Sequence, residues 1–236
     1  MKIIYCGHSA VVVETARGTR IAIDPFLDGN PLCPKQLRDP GPLNYICLTH
    51  GHADHVGSTV ELVKRYNATV FATFELAMLL QQDGVPEALL QPMNKGGSVA
   101  LPTEGVRFSL TQAFHSSSYQ AKDGSRYYAG EAAGVVVQVE GGPAIYHAGD
   151  TLLFSDMRLI GECFRPTVAL LPIGDRFTMG PGDAAEAAKL VGAPKVIPIH
   201  YKTFPQLSGT AEEFAALLNE TDIEPLVLQP GETCSV

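Results

Sequence analysis

Several signatures are missing from this chain, and each absence removes a class of protein. No apolar run approaches the ~20 residues of a membrane span. The opening stretch, MKIIYCGHSAVVVETARG, is broken by Gly7, His8 and Glu14 before a signal-peptide core can form. Basic residues are scarce: 17 Lys and Arg face 25 Asp and Glu, a net charge of −8 with no basic stripe or tail. Nucleic acid is therefore not the expected partner. The five cysteines are odd in number and form no CxxC pair. Cys6 and Cys47 lie in apolar, strand-like runs and read as reduced core residues, which suits a cytoplasmic location. No Ser/Gly/Pro-rich linker, charge block or repeat interrupts the 236 residues, so one domain over 1–236 is expected. A chain of this length buries roughly 70% of its unfolded surface and needs no disulfide. An assembly of identical copies is compatible with all of this.

Histidine, by contrast, is concentrated. THGHADHVGS (49–58) carries three of the seven histidines and an aspartate within six residues, His50 to His55. Neutral imidazole is the commonest metal ligand near neutral pH, and zinc accepts mixtures of imidazole nitrogen and carboxylate oxygen. His50 and His52, two apart, can grip one ion, while Asp54 and His55 reach a second. Gly51 and Ala53 let the backbone curl tightly between them.

Apolar runs at 2–6, 10–15, 20–24, 45–49, 69–72, 106–114, 134–140, 143–149, 167–174, 195–199 and 224–229 read as strands. Segments 58–66, 74–84, 181–191 and 210–220 read as helices, the first with Ser58 and Glu61 placed for a capping box. Hairpins and strand–helix alternation together predict an α+β fold of mixed sheets flanked by helices. Four of the apolar runs end in a metal-type residue: His50, His115, Asp150 and His200. With His52, Asp54 and His55 these make three histidines, then two histidines and an aspartate, with one aspartate left to bridge. Two ions roughly 3.5–4 Å apart with a shared carboxylate form a hydrolytic dinuclear site.

HGHADH matches the HxHxDH signature of the metallo-β-lactamase superfamily. His115, the AGDT containing Asp150 and the PIHY containing His200 match its later motifs in order, and IDPF with Asp24 resembles its early aspartate motif. GHSA, LPIGDRFTMGP and IPIHYKTFP look more narrowly like the small metal-dependent hydrolases related to ascorbate-lactone hydrolases and N-acyl-phosphatidylethanolamine phospholipase D. The resemblance implies an αββα sandwich with ions at one edge. It implies that His50, His52 and His115 hold one ion, that Asp54, His55 and His200 hold the other, and that Asp150 bridges.

The expected chemistry is hydrolysis of a small ester, lactone, amide or phosphodiester by a metal-bridged hydroxide. Asp54 is the expected catalytic carboxylate, and zinc is the first choice of metal, with manganese, iron or nickel as alternatives. The rivals are a diiron redox protein and a metal-binding protein without catalysis on the same fold. Asp24 is expected to steady the histidine loop. His8 is read equally as lining the site or as structural, and His147 as supporting or core rather than ligating. Residues 116–131 are read equally as a lid or as a long hairpin loop. Lys122, Arg126, Arg176 and Lys202 follow the ligands along the chain. Their convergence would favour an anionic substrate, with Arg176 as its main contact.

Overall fold

The computed structural model describes residues 1–236. Its first sheet begins with β1 (Lys2–Gly7), β2 (Ala10–Glu14) and β3 (Arg20–Ile23), a meander of antiparallel strands. It continues in parallel through β4 (Tyr45–Cys47), β5 (Thr69–Thr73) and β6 (Leu90–Met93). Three helices lie between these strands: α1 (Ala53–Val56), α2 (Thr59–Tyr66) and α3 (Phe74–Gln82). The second sheet contains β7 (Ser98–Leu101) and β8 (Val106–Gln112). A separate two-stranded hairpin, β9 (Ser118–Gln120) and β10 (Arg126–Tyr128), comes next. The second sheet resumes with β11 (Ala133–Val139), β12 (Ala144–His147), β13 (Val168–Pro172), β14 (Lys195–Ile199) and the short β15 (Glu224–Pro225). Its helices are α4 (Met157–Phe164), α5 (Pro181–Val191) and α6 (Ala211–Leu218). Finally β16 (Thr233–Ser235) returns to pair antiparallel with β1.

Burial shows why these elements stack in four layers. Val11, Val13, Ile21 and Ile23 of the first sheet pack against Phe108, Leu110, Val135 and Leu170 of the second, forming the central core. The opposite face of the first sheet, with Ala10, Val12 and Val70, packs on Leu62, Val63, Leu76 and Leu80 of α2 and α3. Tyr146, Ala169 and Val196 of the second sheet pack on Ala184, Ala188 and Phe214 of α5 and α6. Strands covered on both faces have no polar side to present, which is why AVVV and VALLP lack alternation. The result is an αββα sandwich of two mixed sheets.

Several boundaries differ from the sequence expectation. Ser58 stands at the start of α2 but caps nothing: its hydroxyl accepts from the Asp28 N–H at 3.0 Å, tying down the preceding loop. The capping box is instead at α6, between Thr210 and Glu213. The run 224–229 pairs only over two residues, because the chain leaves the second sheet there to carry β16 across to the first. All five cysteines are free, with Cys6, Cys33 and Cys47 buried. No helix is long and apolar enough to cross a membrane.

Parallel strands aim their C-terminal ends alike. β1, β3 and β4 of one sheet and β8, β12 and β14 of the other therefore deliver the residues that follow them to one edge of the sandwich. Gly57 closes α1 there with φ 44°, and a Cβ on it would lie 2.4 Å from Phe26 Cα and 2.6 Å from Pro25 O. Gly57→Ala is expected to destabilise the fold by about 2 kcal/mol or more. In urea unfolding this appears as a lower midpoint at unchanged slope; an unchanged midpoint would contradict the close packing of the histidine loop on Pro25 and Phe26.

Candidate metal centre

All seven residues expected as ligands meet at that edge. His50, His52 and His115 form one group whose ring nitrogens lie within 4.8 Å of one another. Asp54, His55 and His200 form a second, which His8 joins. Asp150 lies between the groups: its carboxylate is 3.3 Å from His55 Nε2, 3.0 Å from His200 Nε2 and 3.6 Å from His115 Nε2.

The tautomers of two histidines follow from one buried carboxylate. Asp24 is fully buried at the end of β3, with φ 46°. Its Oδ1 accepts from the Thr49 N–H at 2.8 Å, and its Oδ2 accepts from the Thr49 hydroxyl at 2.6 Å and from His55 Nδ1 at 2.7 Å. The Thr49 hydroxyl proton is engaged with Asp24, so its oxygen can only accept from His50 Nδ1, 3.0 Å away. In their neutral form both His50 and His55 then carry their proton on Nδ1 and present a bare Nε2 to the centre. His50 Nε2 faces His52 Nδ1 at 2.9 Å.

His8 holds the other side. Its Nε2 lies 3.2 Å from Asp54 Oδ2 and its Nδ1 2.8 Å from the Thr203 hydroxyl. Its carbonyl accepts from the Tyr5 hydroxyl at 3.0 Å and from the His200 N–H at 2.8 Å. Burial pushes its imidazole down to about 4, although Asp54 works against this. We therefore read the Asp54 contact at neutral pH as a hydrogen bond from neutral His8 to an ionised carboxylate, not as an ion pair. His147 ligates nothing: its Nε2 donates to Ser9 O at 2.9 Å and its Nδ1 accepts from the Gly149 N–H at 3.1 Å. Gly149 itself, with φ 64°, makes room for Thr49 and for the Ala133 carbonyl; a Cβ there would meet Thr49 Cβ at 2.8 Å.

The donors fit a cation. His55 Nε2, Asp150 Oδ1 and His200 Nδ1 are buried without a hydrogen-bond partner, a costly arrangement for polar atoms unless something else satisfies them. Burial and the neighbouring imidazoles push His50, His52 and His115 below the usual histidine range. Burial also works against a charge on His55, but the Asp150 and Asp24 carboxylates outweigh it and raise its pKa well above that range. Burial opposes ionisation of Asp150, yet His200 and His55 hold its carboxyl well below the usual carboxylate range.

The remaining expectations fare differently. The 116–131 segment is the β9–β10 hairpin, and it is fastened rather than hinged. Tyr119 is buried in the helix-side core and donates to Asp83 Oδ2 at 2.5 Å, while Lys122 Nζ donates to the Asp83 carbonyl. At the root, Ser117 Oγ accepts from the Gly51 N–H at 3.1 Å. Tyr119 therefore does not cover the histidines. Lys122 is held at Asp83, and Lys202 pairs with Glu212 at 3.6 Å, so two of the four cations do not converge on the centre. Arg176 is exposed over the Phe177 ring at 5.5 Å, in a loop whose Met179 N–H donates to Thr151 O beside Asp150. Thr49 and Thr203 escaped the sequence reading. Thr49 directly precedes His50 and could have been suspected, whereas nothing in the sequence links Thr203 to His8.

Residues 19–201 match the beta-lactamase superfamily domain. The chain belongs to that superfamily. Within it, the chain is 46% identical over 233 residues to a UPF0173 metal-dependent hydrolase of Rubrobacter xylanophilus, covering 98% of this chain and 95% of that one. It is 50% identical over 236 residues to another from Geobacillus thermodenitrificans, covering 99% of both. Among solved structures, a metallo hydrolase from the archaeon Ignicoccus hospitalis superposes with TM-score 0.88 at 37% identity, over 99% of this chain and 97% of that one. A separate hollow of about 360 Å³ at the other end of β8 and β11, lined by Leu101, Arg107 and Glu140, carries none of the histidines.

The buried histidines predict an acid-sensitive cation-free protein. His8, His50, His52, His115 and His147 all have folded pKa values below their unfolded value of about 6.5. Below about pH 6.5 the unfolded chain therefore binds more protons, and stability present above that pH is lost as pH falls toward 4. His55 acts in the opposite sense, contributing stability at low pH that is lost as pH rises through its raised pKa, and offsets one of the five. With chelator present, the thermal midpoint is expected to drop on the order of 10 °C between pH 7 and pH 5. A midpoint that holds or rises on acidification would contradict this balance.

Proposed function

We propose that this chain is a metal-dependent hydrolase that holds two divalent ions. The observation that carries the reading is the convergence of seven donors with His55 Nε2, Asp150 Oδ1 and His200 Nδ1 buried and unpartnered. His50, His52 and His115 would hold one ion, Asp54, His55 and His200 the other, and Asp150 reaches both groups. Zinc suits the imidazole-rich set best, and manganese, iron or nickel can use the same donors. Ions in such a set supply Lewis acidity and ionise water near neutral pH.

The protein's own residues have separable parts in this scheme. Asp24 fixes the Nδ1–H tautomers of His50 and His55. His8 aims Asp54, whose side chain is 32% exposed and so open to substrate or water. Asp54 is therefore the carboxylate placed to orient the nucleophilic water by accepting a hydrogen bond from it. The substrate is a small ester, lactone, amide or phosphodiester. The names of relatives at 46–50% identity support hydrolysis over the redox and non-catalytic readings. A preference for anionic substrates rests on Arg176, since Lys122 and Lys202 are engaged elsewhere.

Metal analysis of protein prepared without chelator is expected to find two divalent ions per chain. His115→Ala and His200→Ala should each lose one ion, and Asp150→Ala should weaken both. Asp24→Asn should lower metal affinity about 10–100-fold while keeping the stoichiometry. One ion per chain in fully loaded protein, or intact binding in Asp150→Ala, would sink the two-ion reading. A panel of lactones, thioesters, amides and phosphodiesters then tests the reaction. Loaded protein inactive on every class would refute hydrolysis of this kind.

On any anionic substrate the panel identifies, Arg176→Ala should reduce kcat/KM about tenfold or more at low salt, with a smaller effect on a matched neutral substrate. Equal effects on the two would remove Arg176 from the substrate's path.

A further inference from the structure

Of the nine large apolar residues that stand exposed, Phe114, Tyr128 and Leu152 line one cleft. It holds about 490 Å³ and has His115 in its wall. Their exposures are 47%, 70% and 51%, far above what core-facing residues show. The cleft is built into the centre. Phe114 immediately precedes His115, and its N–H donates to Thr151 Oγ1 at 3.0 Å, next to Asp150. The Leu152 N–H reaches the Phe114 carbonyl at 3.4 Å. The Phe114 ring is braced edge-on against Phe154, with centroids 5.2 Å apart. Tyr128 faces them from the hairpin, which is itself fastened to Asp83. The charged residues of the cleft, Lys95 and Glu131, form an ion pair and cancel. His115 has 15% of its side chain exposed, while His50 and His55 are fully buried, so the cleft meets the cluster at an open end.

We propose that this cleft is a subsite for the apolar acyl or aryl portion of the substrate, with the scissile bond at the histidine cluster. The inference rests on the hydrolase reading above and narrows its substrate class to compounds carrying an uncharged apolar group. Exposed apolar side chains gathered in a concave site mark binding, and here three of them share one cleft with His115. The fixed hairpin and the braced Phe114 make the subsite preformed, so little ordering cost opposes an alkyl or aryl group entering it.

The test uses straight-chain alkyl hydroxamates, from acetyl to octanoyl, titrated calorimetrically into zinc-loaded protein. The head group binds metal and the tail reports on the cleft. Affinity is expected to rise two- to fourfold per methylene, the upper figure being that for full burial. Phe114→Ala and Leu152→Ser should flatten that rise, while Leu217→Ser, an exposed apolar residue on α6, should preserve it. A second arm uses the amphiphilic dye anilinonaphthalene sulfonate, whose aromatic rings probe the cleft, on chelated protein; its binding should weaken at least fivefold in the Phe114→Ala/Leu152→Ser double variant. Flat chain-length dependence with the acetyl compound bound, or a rise that survives both substitutions, overturns the subsite. Failure of every hydroxamate while the dye still responds to the double variant overturns the metal reading and leaves the subsite standing; failure of both arms overturns the subsite as well. A concentration-dependent dimer in sedimentation that Phe114→Ala dissociates would assign the cleft to a second copy of the chain instead, and would also overturn the proposal.

Discussion

The Asp24 carboxylate is the constraint on which the rest of the centre depends. It is fully buried, and it accepts from Thr49 twice and from His55 once. Through these contacts it decides where the protons of His50 and His55 sit. Imidazoles free to choose their tautomer would turn a proton inward on some molecules and a lone pair on others. Here the fold decides which nitrogen of each neutral ring keeps its proton. The cost of burying this carboxyl group is met by three accepted hydrogen bonds rather than by a Lys or Arg partner.

The four-layer architecture explains why so polar a cluster can exist at all. Both faces of each sheet are buried, so a ligand within a strand would point into apolar core. Polar groups can gather only where strands stop. β1, β3 and β4 from one sheet and β8, β12 and β14 from the other stop at the same edge, and each is followed by a residue of the cluster or its support. His8, Asp24 and His200 all take left-handed backbone there, with φ of 59°, 46° and 56°. Each turns the chain sharply just past a strand end, which lets side chains from opposite sheets meet within a few ångströms.

Much of this was legible in the sequence. Apolar runs ending in His or Asp gave the strand ends, and the close spacing of His50 to His55 gave the centre. The helix at Pro181–Val191 and the strand at Lys195–Ile199 were placed to the residue, because a proline start and an unbroken apolar run are local signals. What escaped was non-local. Ser58 looked like a cap, but the residue that claims its hydroxyl is Asp28, 30 positions away. α4 escaped because it is only eight residues long and carries Gly161, so its stripe of Met157, Ile160 and Phe164 is too short to stand out. The pairing of His8 with Asp54 and Thr203 spans most of the chain and has no sequence period. The basic residues near the ligands were correctly counted, but proximity along the chain does not say which way a lysine turns. Lys122 and Lys202 each found a nearer acceptor.

The spread of the donors along the chain has a bearing on biosynthesis. His50, His52, Asp54 and His55 leave the ribosome together, whereas Asp150 comes about a hundred residues later and His200 about fifty after that. At 5–20 residues per second the interval from His50 to His200 is on the order of ten seconds. For most of that time the nascent polypeptide displays a partial donor set, lacking first the Asp150 carboxylate and then the His200 imidazole. Completion of the donor set is therefore a late event in the life of each molecule, coupled to the docking of the second sheet on the first. Free metal in the cell then acts on the finished sandwich, raising its apparent stability by mass action, about 2.7 kcal/mol when an ion stands at a hundred times its dissociation constant.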